Sequence, residues 1–443
     1  MATEGKPTEG LALPVHGLKT VAEVGKLRRE LYHRINHSHD YGEFTAWTMV
    51  GNPDPILRSF GVWHAFGENY GPVCAAKQVN DIFCGEAESD GFSVDICSYL
   101  RCQLGYAKKV IDLGGKIPTE APYGGMGKPD MYIAPTYICD GRYKSLQASL
   151  RYYDVPYFVY EVREAPFEML NQGWEVKKRY VEHYYAQLKE LVRFLERVTG
   201  KRFDEGKCAE ALSYWWTGHK ALADTWKMRG NRPNPWGTED SFALCYPYMN
   251  FGATKKCADF YQKLYEEVKY RVDNKIGIPQ HEKYRLYWEG MPPYFYLGLY
   301  NWLEERGVAL LDRAFYIGEL PEKPNLDDNP LWTIAKNFYD TYWEMNGYLR
   351  RRDPLYWLLP SIKDWGVEGV VMVTATSCRS VSAGNMHRMR LLRQKLDIPF
   401  VNLDFDMTDP RTYSDMEVKG RLEAFLEMVD TARKKKKEPL EQK

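Results

Sequence analysis

Two apolar segments of eight residues constrain the fold of this chain more than any other feature. Residues 130–137, DMYIAPTY, and residues 155–162, VPYFVYEV, are rich in the β-branched and aromatic side chains that strands favour. The segment between them, DGRYKSLQASLRYYD, has a helical pattern. Strand, helix and strand within about 30 residues form a βαβ unit, which predicts a parallel sheet covered by helices.

The same alternation returns after residue 279 and predicts a second unit of this type. The predicted strands are KYRLYWEG, VALLDRAF, GVVMVTAT and IPFVNLDF, and the predicted helices span residues 294–306, 331–350, 380–395 and 414–430. The predicted fold class is therefore α/β, with two doubly wound domains of the Rossmann or flavodoxin-like type.

Between the two units the pattern becomes helical, with long helical segments joined by the Pro-rich NRPNPWG. A chain of 443 residues is long enough for two or three domains. We predict an N-terminal helical segment at 1–48, a first α/β domain at 49–170, a helical insertion at 171–278, a second α/β domain at 279–430 and a flexible basic tail at 431–443.

The charge balance and the apolar pattern narrow the classes of function. Lys plus Arg and Asp plus Glu both count 60, so the net charge is zero, which argues against a nucleic-acid partner. The start of the chain lacks the apolar run of a secretion signal, and no apolar stretch is long enough to cross a membrane. We expect a cytoplasmic protein. The segment YGGMGKPD is not a P-loop, because Pro122 and Pro129 occupy positions that the motif does not allow.

The chain has nine cysteines, an odd number that indicates reduced thiols or metal ligands rather than a disulfide framework. Three of them are predicted at the starts of helices. Cys139 and Cys378 follow predicted strands, and Cys97 lies in DICSYLRC, where Asp95 is the predicted helix cap. A helix N-terminus favours the thiolate form. Cys102 is about 140° further around the same helix and is predicted to point away.

The spacing of Cys97, Cys139 and Cys378 matches no zinc finger. Because ligands bind at the carboxyl ends of strands in doubly wound sheets, the three thiols can meet in a cleft between the two domains. Soft sulfur ligands suit an iron–sulfur cluster, and three cysteines leave one iron of a four-iron cluster open. The alternative is that these cysteines lie at helix starts without any cluster, since free cysteine is commonly a core residue.

At these residues the chain resembles the family of 2-hydroxyacyl-CoA dehydratases and benzoyl-CoA reductases, specifically their cluster-carrying subunits. The matching segments are FGENYGPVCAAKQV, DICSYLRCQLG, PTYICDGRYK, KYRLYWEGMPP, EGVVMVTATSCRS and IPFVNLDFDMTDPRTYSDMEVKGRLEAFLEM. The helical insertion, GENYG and YRLYWEG look most like the larger cluster-carrying subunit of ATP-dependent benzoyl-CoA reductase.

The resemblance implies a [4Fe–4S] cluster held by Cys97, Cys139 and Cys378, and a second subunit of similar fold. It also implies a separate ATP-hydrolysing iron–sulfur activator. The activator receives electrons from ferredoxin and delivers them one at a time at low potential. The implied reaction reduces the ring of an aromatic acyl-CoA to a cyclic dienoyl-CoA through a ketyl radical. Glu68 is the candidate catalytic residue for proton handling or substrate positioning, and Arg379 is the candidate substrate-binding residue.

Two alternatives remain within this resemblance. A 2-hydroxyacyl-CoA dehydratase subunit uses the same ketyl chemistry to expel water and form an enoyl-CoA. A double-cubane-cluster protein transfers electrons only. Glu68 and Arg379 also have structural interpretations. For Glu68 it is a surface or helix-capping carboxylate, and for Arg379 it is an ordinary salt bridge.

Overall fold

The structure is a computed structural model that describes residues 17–166, 169, 172–312, 320–342, 355 and 358–437. Its first half is built around a sheet of four parallel strands. The strands are β1 (Phe44–Trp47), β2 (Val62–Ala65), β3 (Met131–Pro135) and β4 (Tyr157–Tyr160), in the spatial order β2, β1, β3, β4. The predicted βαβ unit is confirmed as β3, α6 (Gly141–Ser149) and β4.

The first sheet is buried on both faces because its side chains alternate between two apolar cores. In β3, Met131 and Ile133 face one core, whereas Tyr132 and Ala134 face the other. Helices that connect or flank these strands cover the sheet. They are α1 (Val21–Asn36), α2 (Asp54–Ser59), α3 (Gly67–Ala76), α4 (Asn80–Ser89) and α5 (Ser98–Asp112).

Part of the predicted N-terminal helical segment is wrong. Residues 1–48 are predicted to be helical, but β1 at Phe44–Trp47 lies inside this range and pairs with both β2 and β3. A strand of four residues is too short for its period to be separated from a helical pattern. The helix itself ends at Asn36.

The described residues of the predicted helical insertion 171–278 form four long helices. They are α7 (Trp174–Thr199), α8 (Glu205–Lys227), α9 (Thr238–Phe251) and α10 (Lys255–Asp273). Their apolar faces pack on both cores of the first sheet: Tyr184 and Leu188 of α7 join one core, and Phe260 and Leu264 of α10 join the other.

The second half of the chain contains another sheet of four parallel strands. The strands are β5 (Tyr284–Glu289), β6 (Val308–Leu311), β7 (Gly369–Ala375) and β8 (Phe400–Phe405), in the spatial order β6, β5, β7, β8. The accompanying helices are α11 (Gly298–Glu304), α12 (Pro330–Tyr342), α13 (Leu358–Asp364), α14 (Arg379–Ser382), α15 (Asn385–Lys395) and α16 (Asp415–Lys437). The α/β class with two parallel sheets is confirmed.

Two predictions about helices in this half are wrong in detail. The predicted helix at 380–395 is two helices, because Gly384 caps α15 and the side chain of Asn385 donates a 2.7 Å hydrogen bond to the carbonyl of Val373 in β7. The predicted flexible tail begins at 431, but α16 continues to Lys437, anchored where Arg433 pairs with Glu368. Residues 343–350 of the predicted helix 331–350, and residues 438–443, lie outside the described residues.

Among the residues that the structure describes, no helix combines the length and the apolar composition needed to cross a membrane.

Candidate functional site

Cys97, Cys139 and Cys378 all lie at the starts of helices. Cys97 is the N-terminal cap of α5, Cys378 is the cap of α14, and Cys139 immediately precedes Asp140, the cap of α6. The sequence predicts this position for all three. The predicted cap of α5 is wrong, because Cys97 itself is the cap and the side chain of Asp95 is bonded within the preceding turn.

Cys139 and Cys378 occupy equivalent places in the two sheets. In each sheet the second strand in the chain lies on one side of the first and the third strand on the other, which creates a crevice at the carboxyl ends of the first and third strands. Cys139 follows β3 and Cys378 follows β7, so both lie at such a crevice. The topology therefore places one thiol at the ligand-binding edge of each sheet.

The three sulfurs line one cavity of about 350 Å³ between the two α/β halves. Its walls are apolar on the α5 side and polar where the two crevices meet. The other lining residues are Phe92, Asp95, Ile96, Leu100, Leu104, Asp140, Gly141, Lys144, Ser145, Ala148, Ser377, Arg379 and Ser380. The predicted convergence of the three cysteines in an interdomain cleft agrees with this geometry.

Each sulfur accepts a hydrogen bond from a backbone N–H in the first turn of its own helix. The donors are Tyr99 for Cys97, Arg142 for Cys139 and Val381 for Cys378. These bonds are the local consequence of placing a cysteine at a helix start, where backbone N–H groups have no partner within the helix.

Burial nevertheless raises the pKa of all three thiols, and for Cys97 the neighbouring Cys378 and Cys139 raise the pKa further. The backbone N–H groups act in the opposite direction but are outweighed. The expectation that the helix starts favour the thiolate is therefore wrong for these thiols by themselves. A coordinating metal reverses this balance, because a cation deprotonates a thiol that binds it.

The donor set fits an iron–sulfur cluster better than a single ion. Within the described part of the chain, no three His, Cys, Asp or Glu side chains converge tightly enough to hold one metal ion. In a [4Fe–4S] cluster each cysteine binds a different iron, so the sulfurs stand further apart than around one ion. Three thiols on the wall of a shared cavity match that requirement.

Cys102, the other cysteine of DICSYLRC, is not part of this site. Its side chain is fully buried beside Cys74 in the core under α5. The prediction that Cys102 points away from Cys97 is confirmed.

Glu68 lies behind Cys139 and does not line the cavity. Its carboxylate accepts 2.9 Å and 2.6 Å hydrogen bonds from the guanidinium of Arg142 and the N–H of Val50. Arg142 is 3% exposed and also donates to the carbonyl of Val50. Because the N–H of Arg142 contacts the sulfur of Cys139, this buried ion pair links the loop after β1 to the cysteine.

Arg379 forms an exposed ion pair across the cavity wall. Its guanidinium donates 2.8 Å and 2.6 Å hydrogen bonds to the carboxylate of Asp140, and its side chain is 72% exposed. Since Arg379 follows Cys378 and Asp140 follows Cys139, the pair joins the two halves of the chain directly beside two of the thiols.

Sequence reasoning missed two groups at this site. Lys144 of α6 lines the cavity. The sequence indicates this only through the position of Lys144 one helical turn after Asp140. Ser98 and Ser377, the residues that follow Cys97 and precede Cys378, touch across the domain boundary through a 3.1 Å hydrogen bond from the N–H of Ser98. Contact between residues so distant in the chain has no signal in one sequence.

The fold and the site together define a two-sheet α/β protein with a three-thiol cavity between its sheets. The sequence profile of one family, 2-hydroxyglutaryl-CoA dehydratase, D-component, matches residues 50–429. The chain belongs to this family, and the resemblance inferred from the motifs is confirmed.

The relatives of this chain include both a benzoyl-CoA reductase subunit and 2-hydroxyacyl-CoA dehydratase subunits. The chain is 25% identical to a benzoyl-CoA reductase subunit of Thauera aromatica, over 91% of this chain and 92% of the relative. It is 24% identical to the (R)-phenyllactyl-CoA dehydratase alpha subunit of Clostridium sporogenes, over 88% and 90%. It is 23% identical to the (R)-2-hydroxyisocaproyl-CoA dehydratase alpha subunit of Clostridioides difficile, over 93% and 96%.

Proposed function

We propose that this chain is the cluster-carrying subunit of an enzyme that reduces an acyl-CoA thioester by single-electron transfer. One observation carries the proposal: three cysteines from two α/β halves line one cavity in a member of this family. The relatives are subunits that act on acyl-CoA thioesters, as their names state.

Cys97, Cys139 and Cys378 would hold a [4Fe–4S] cluster through three irons. When bound, the cluster supplies low-potential electrons to the thioester carbonyl, and its fourth iron has no protein thiol. The apolar wall formed by Phe92, Ile96 and the leucines of α5 excludes water from the reacting group. A dry, low-dielectric cavity strengthens every charge interaction within it.

Two cations of the cavity wall are suited to bind an anionic substrate. Lys144 faces the cavity, and Arg379 can exchange the exposed carboxylate of Asp140 for a negative group of the substrate. An ion pair that is exposed on both sides contributes little stability, so this exchange costs little. We propose that Arg379 orients the CoA thioester in this way.

Glu68 is better suited to positioning than to direct proton transfer. Both carboxylate oxygens are engaged by Arg142 and Val50, and the side chain does not reach the cavity. We propose that Glu68 fixes Arg142 and, through it, the loop that carries Cys139. The source of the proton is then a group of the cavity wall or a companion subunit.

For the reaction itself we propose reduction of an aromatic acyl-CoA ring. Two electrons and two protons are added to the ring, and the product is a cyclic dienoyl-CoA. The segments GENYG and YRLYWEG and the near full-length match to the benzoyl-CoA reductase relative support this choice. The partners would be a second cluster-carrying subunit and an ATP-hydrolysing activator.

Dehydration of a 2-hydroxyacyl-CoA is the second candidate, supported by the dehydratase alpha subunits among the relatives. An anaerobic assay that contains this chain, its companion subunit, the activator, ATP and a strong reductant distinguishes the two. We expect benzoyl-CoA to yield a cyclic dienoyl-CoA. Formation of an enoyl-CoA from a 2-hydroxyacyl-CoA, with no reaction of benzoyl-CoA, would transfer the assignment to the dehydratases.

A further inference from the structure

A buried carboxylate, Asp406, lies next to the cysteine site. Asp406 follows β8 and is 1% exposed. Its carboxylate accepts 2.9 Å hydrogen bonds from the N–H groups of Thr408 and Asp409 and a further one from the hydroxyl of Ser377. All three partners donate to the carboxylate oxygens, which act only as acceptors.

Asp406 is connected to the two cysteine loops that come from different halves of the chain. Ser377 precedes Cys378 and accepts the N–H of Ser98, which follows Cys97. The hydroxyl of Thr408 donates a 2.7 Å hydrogen bond to the hydroxyl of Ser98. The segment 406–408 therefore clamps the residue after one thiol and the residue before another.

The charge of Asp406 is not balanced by a neighbouring cation among the described residues, where it takes part in no ion pair. Asp409, three residues further on, is paired with both Arg101 and Arg411. The hydroxyl of Ser377, one residue before Cys378, binds the carboxylate of Asp406 directly. A fixed negative charge thus acts on the sulfur site from within the protein.

We propose that Asp406 is a positioning residue that holds the Cys97 and Cys378 loops together and lowers the reduction potential of the cluster. The inference rests on the proposed function, because it concerns the same cluster. Reduction adds one electron and makes the cluster more negative by one charge. A buried carboxylate that no cation balances disfavours that change, and the low local dielectric strengthens the effect.

The variant Asp406→Asn tests the charge. Asparagine has the same shape, its amide oxygen still accepts the two backbone N–H groups, and its NH2 group can donate to the hydroxyl of Ser377, so the loops keep their positions. We expect anaerobic redox titration of the holoprotein, followed by electron paramagnetic resonance, to give a more positive midpoint potential at unchanged iron content. Asp404→Asn is the control. Asp404 lies in β8, two residues before Asp406, but its side chain is 50% exposed, so removal of its charge is expected to leave the midpoint potential unchanged.

A second measurement tests the clamp without any cluster. In metal-free protein, Thr408→Val removes the hydrogen bond to Ser98 and is expected to speed alkylation of Cys97 and Cys378 several-fold, with Cys139 less affected. Alkylation rates of Thr408→Val equal to those of wild type overturn the clamp. A holoprotein of Asp406→Asn with an unchanged potential overturns the charge effect. Wild-type protein that binds no iron overturns the proposed function instead.

Discussion

At the residue scale, the ion pair of Glu68 and Arg142 and the ion pair of Arg379 and Asp140 flank the same cysteine loops but differ in burial. Arg142 is 3% exposed, and its guanidinium has no access to water that would replace Glu68. Arg379 is mostly exposed, so water and salt screen its pair with Asp140. We therefore expect the first pair to contribute to stability, whereas the second is the one that we propose for substrate binding.

We predict that Glu68→Ala destabilises the protein by about 3 kcal/mol, because it leaves the buried Arg142 charge without its anionic partner. Arg379→Ala is the matched control and is expected to cost less than about 1 kcal/mol. Thermal unfolding of both variants measures the difference. Equal losses would contradict the assignment of Glu68 as the structural partner of Arg142.

A second prediction at this scale concerns Asp54, in the first turn of α2. Burial raises the pKa of Asp54 to about 7, opposed by the nearby Arg58. The folded chain therefore binds this proton more tightly than the unfolded chain does. The stability that the protonated carboxyl contributes is present below about pH 4 and is lost as the pH rises through 7.

We expect Asp54→Asn, which cannot ionise, to gain stability relative to wild type between pH 5 and pH 8, by roughly 1 to 3 kcal/mol. Burial lowers the pKa of the neighbouring His64 to about 3, so that residue stays neutral across this range. Unfolding temperatures of both proteins at the two pH values provide the measurement. A difference that does not change with pH would contradict the burial-driven shift.

At the scale of elements, the length of a strand and the order of strands and helices along the chain determine which elements can be predicted from the sequence. The six-residue and seven-residue strands β5 and β7 have enough apolar residues to be recognised, and the strand after each predicted helix follows from the βαβ rule. The strands β1 and β2 have four residues each and were not predicted as strands. Their identity depends on the pairing of β1 with β2 and β3, which local sequence does not encode.

The turn after β5 illustrates how an element end is positioned. Gly290 has a φ of 130°, and a Cβ atom there would stand 2.7 Å from the carbonyl oxygen and from the Cβ of Val373 in β7. Only glycine combines this backbone conformation with such a close approach. The close contact brings the ends of β5 and β7 together at the crevice from which the Cys378 loop leaves.

We predict that Gly290→Ala lowers the free energy of unfolding by about 2 kcal/mol or more, since it adds both backbone strain and overlap with β7. Gly420→Ala is the control, because Gly420 lies in α16 with open space around it and alanine favours a helix. That variant is expected to be neutral or slightly stabilised. A Gly290→Ala protein as stable as wild type would contradict the structure at this edge.

At the scale of the whole molecule, the two α/β halves are joined by buried polar contacts as well as by apolar packing. Arg101 of α5 pairs with Asp409 at 2.9 Å, and the side chain of Asn80 donates to the carbonyl of Thr408 at 3.0 Å. These contacts attach the segment after β8 to helices of the first half. The relative placement of the halves, and hence the shape of the cysteine cavity, depends on them.

General rules of fold and helix capping predict some residues of the site but not all of them. The rule that ligands bind at strand carboxyl ends selected Cys139 and Cys378, and helix capping selected Cys97. The same rules gave no role for Asp406 or Ser377, because their contacts join residues that are distant in the chain. The raised pKa of the thiols was also missed, since burial is a property of the assembled molecule.

The interdomain contact leads to a prediction of its own. Arg101→Met keeps the length of the side chain but leaves the buried Asp409 with Arg411 alone, so we expect looser contact between the halves. Hydrogen exchange should then increase in α5 and in the segment 406–411, with the central strand β7 unchanged. Unchanged exchange in both segments would show that this pair does not hold the halves together.

The most direct test of the account is the iron and sulfide content of anaerobically purified protein and its serine variants. Wild-type protein is expected to carry one [4Fe–4S] cluster per chain, and Cys97→Ser, Cys139→Ser and Cys378→Ser are each expected to lose it. Cys102→Ser, which alters a buried core cysteine outside the cavity, is expected to keep it. Full iron content and an unchanged visible spectrum in the protein with all three replacements would contradict the central claim.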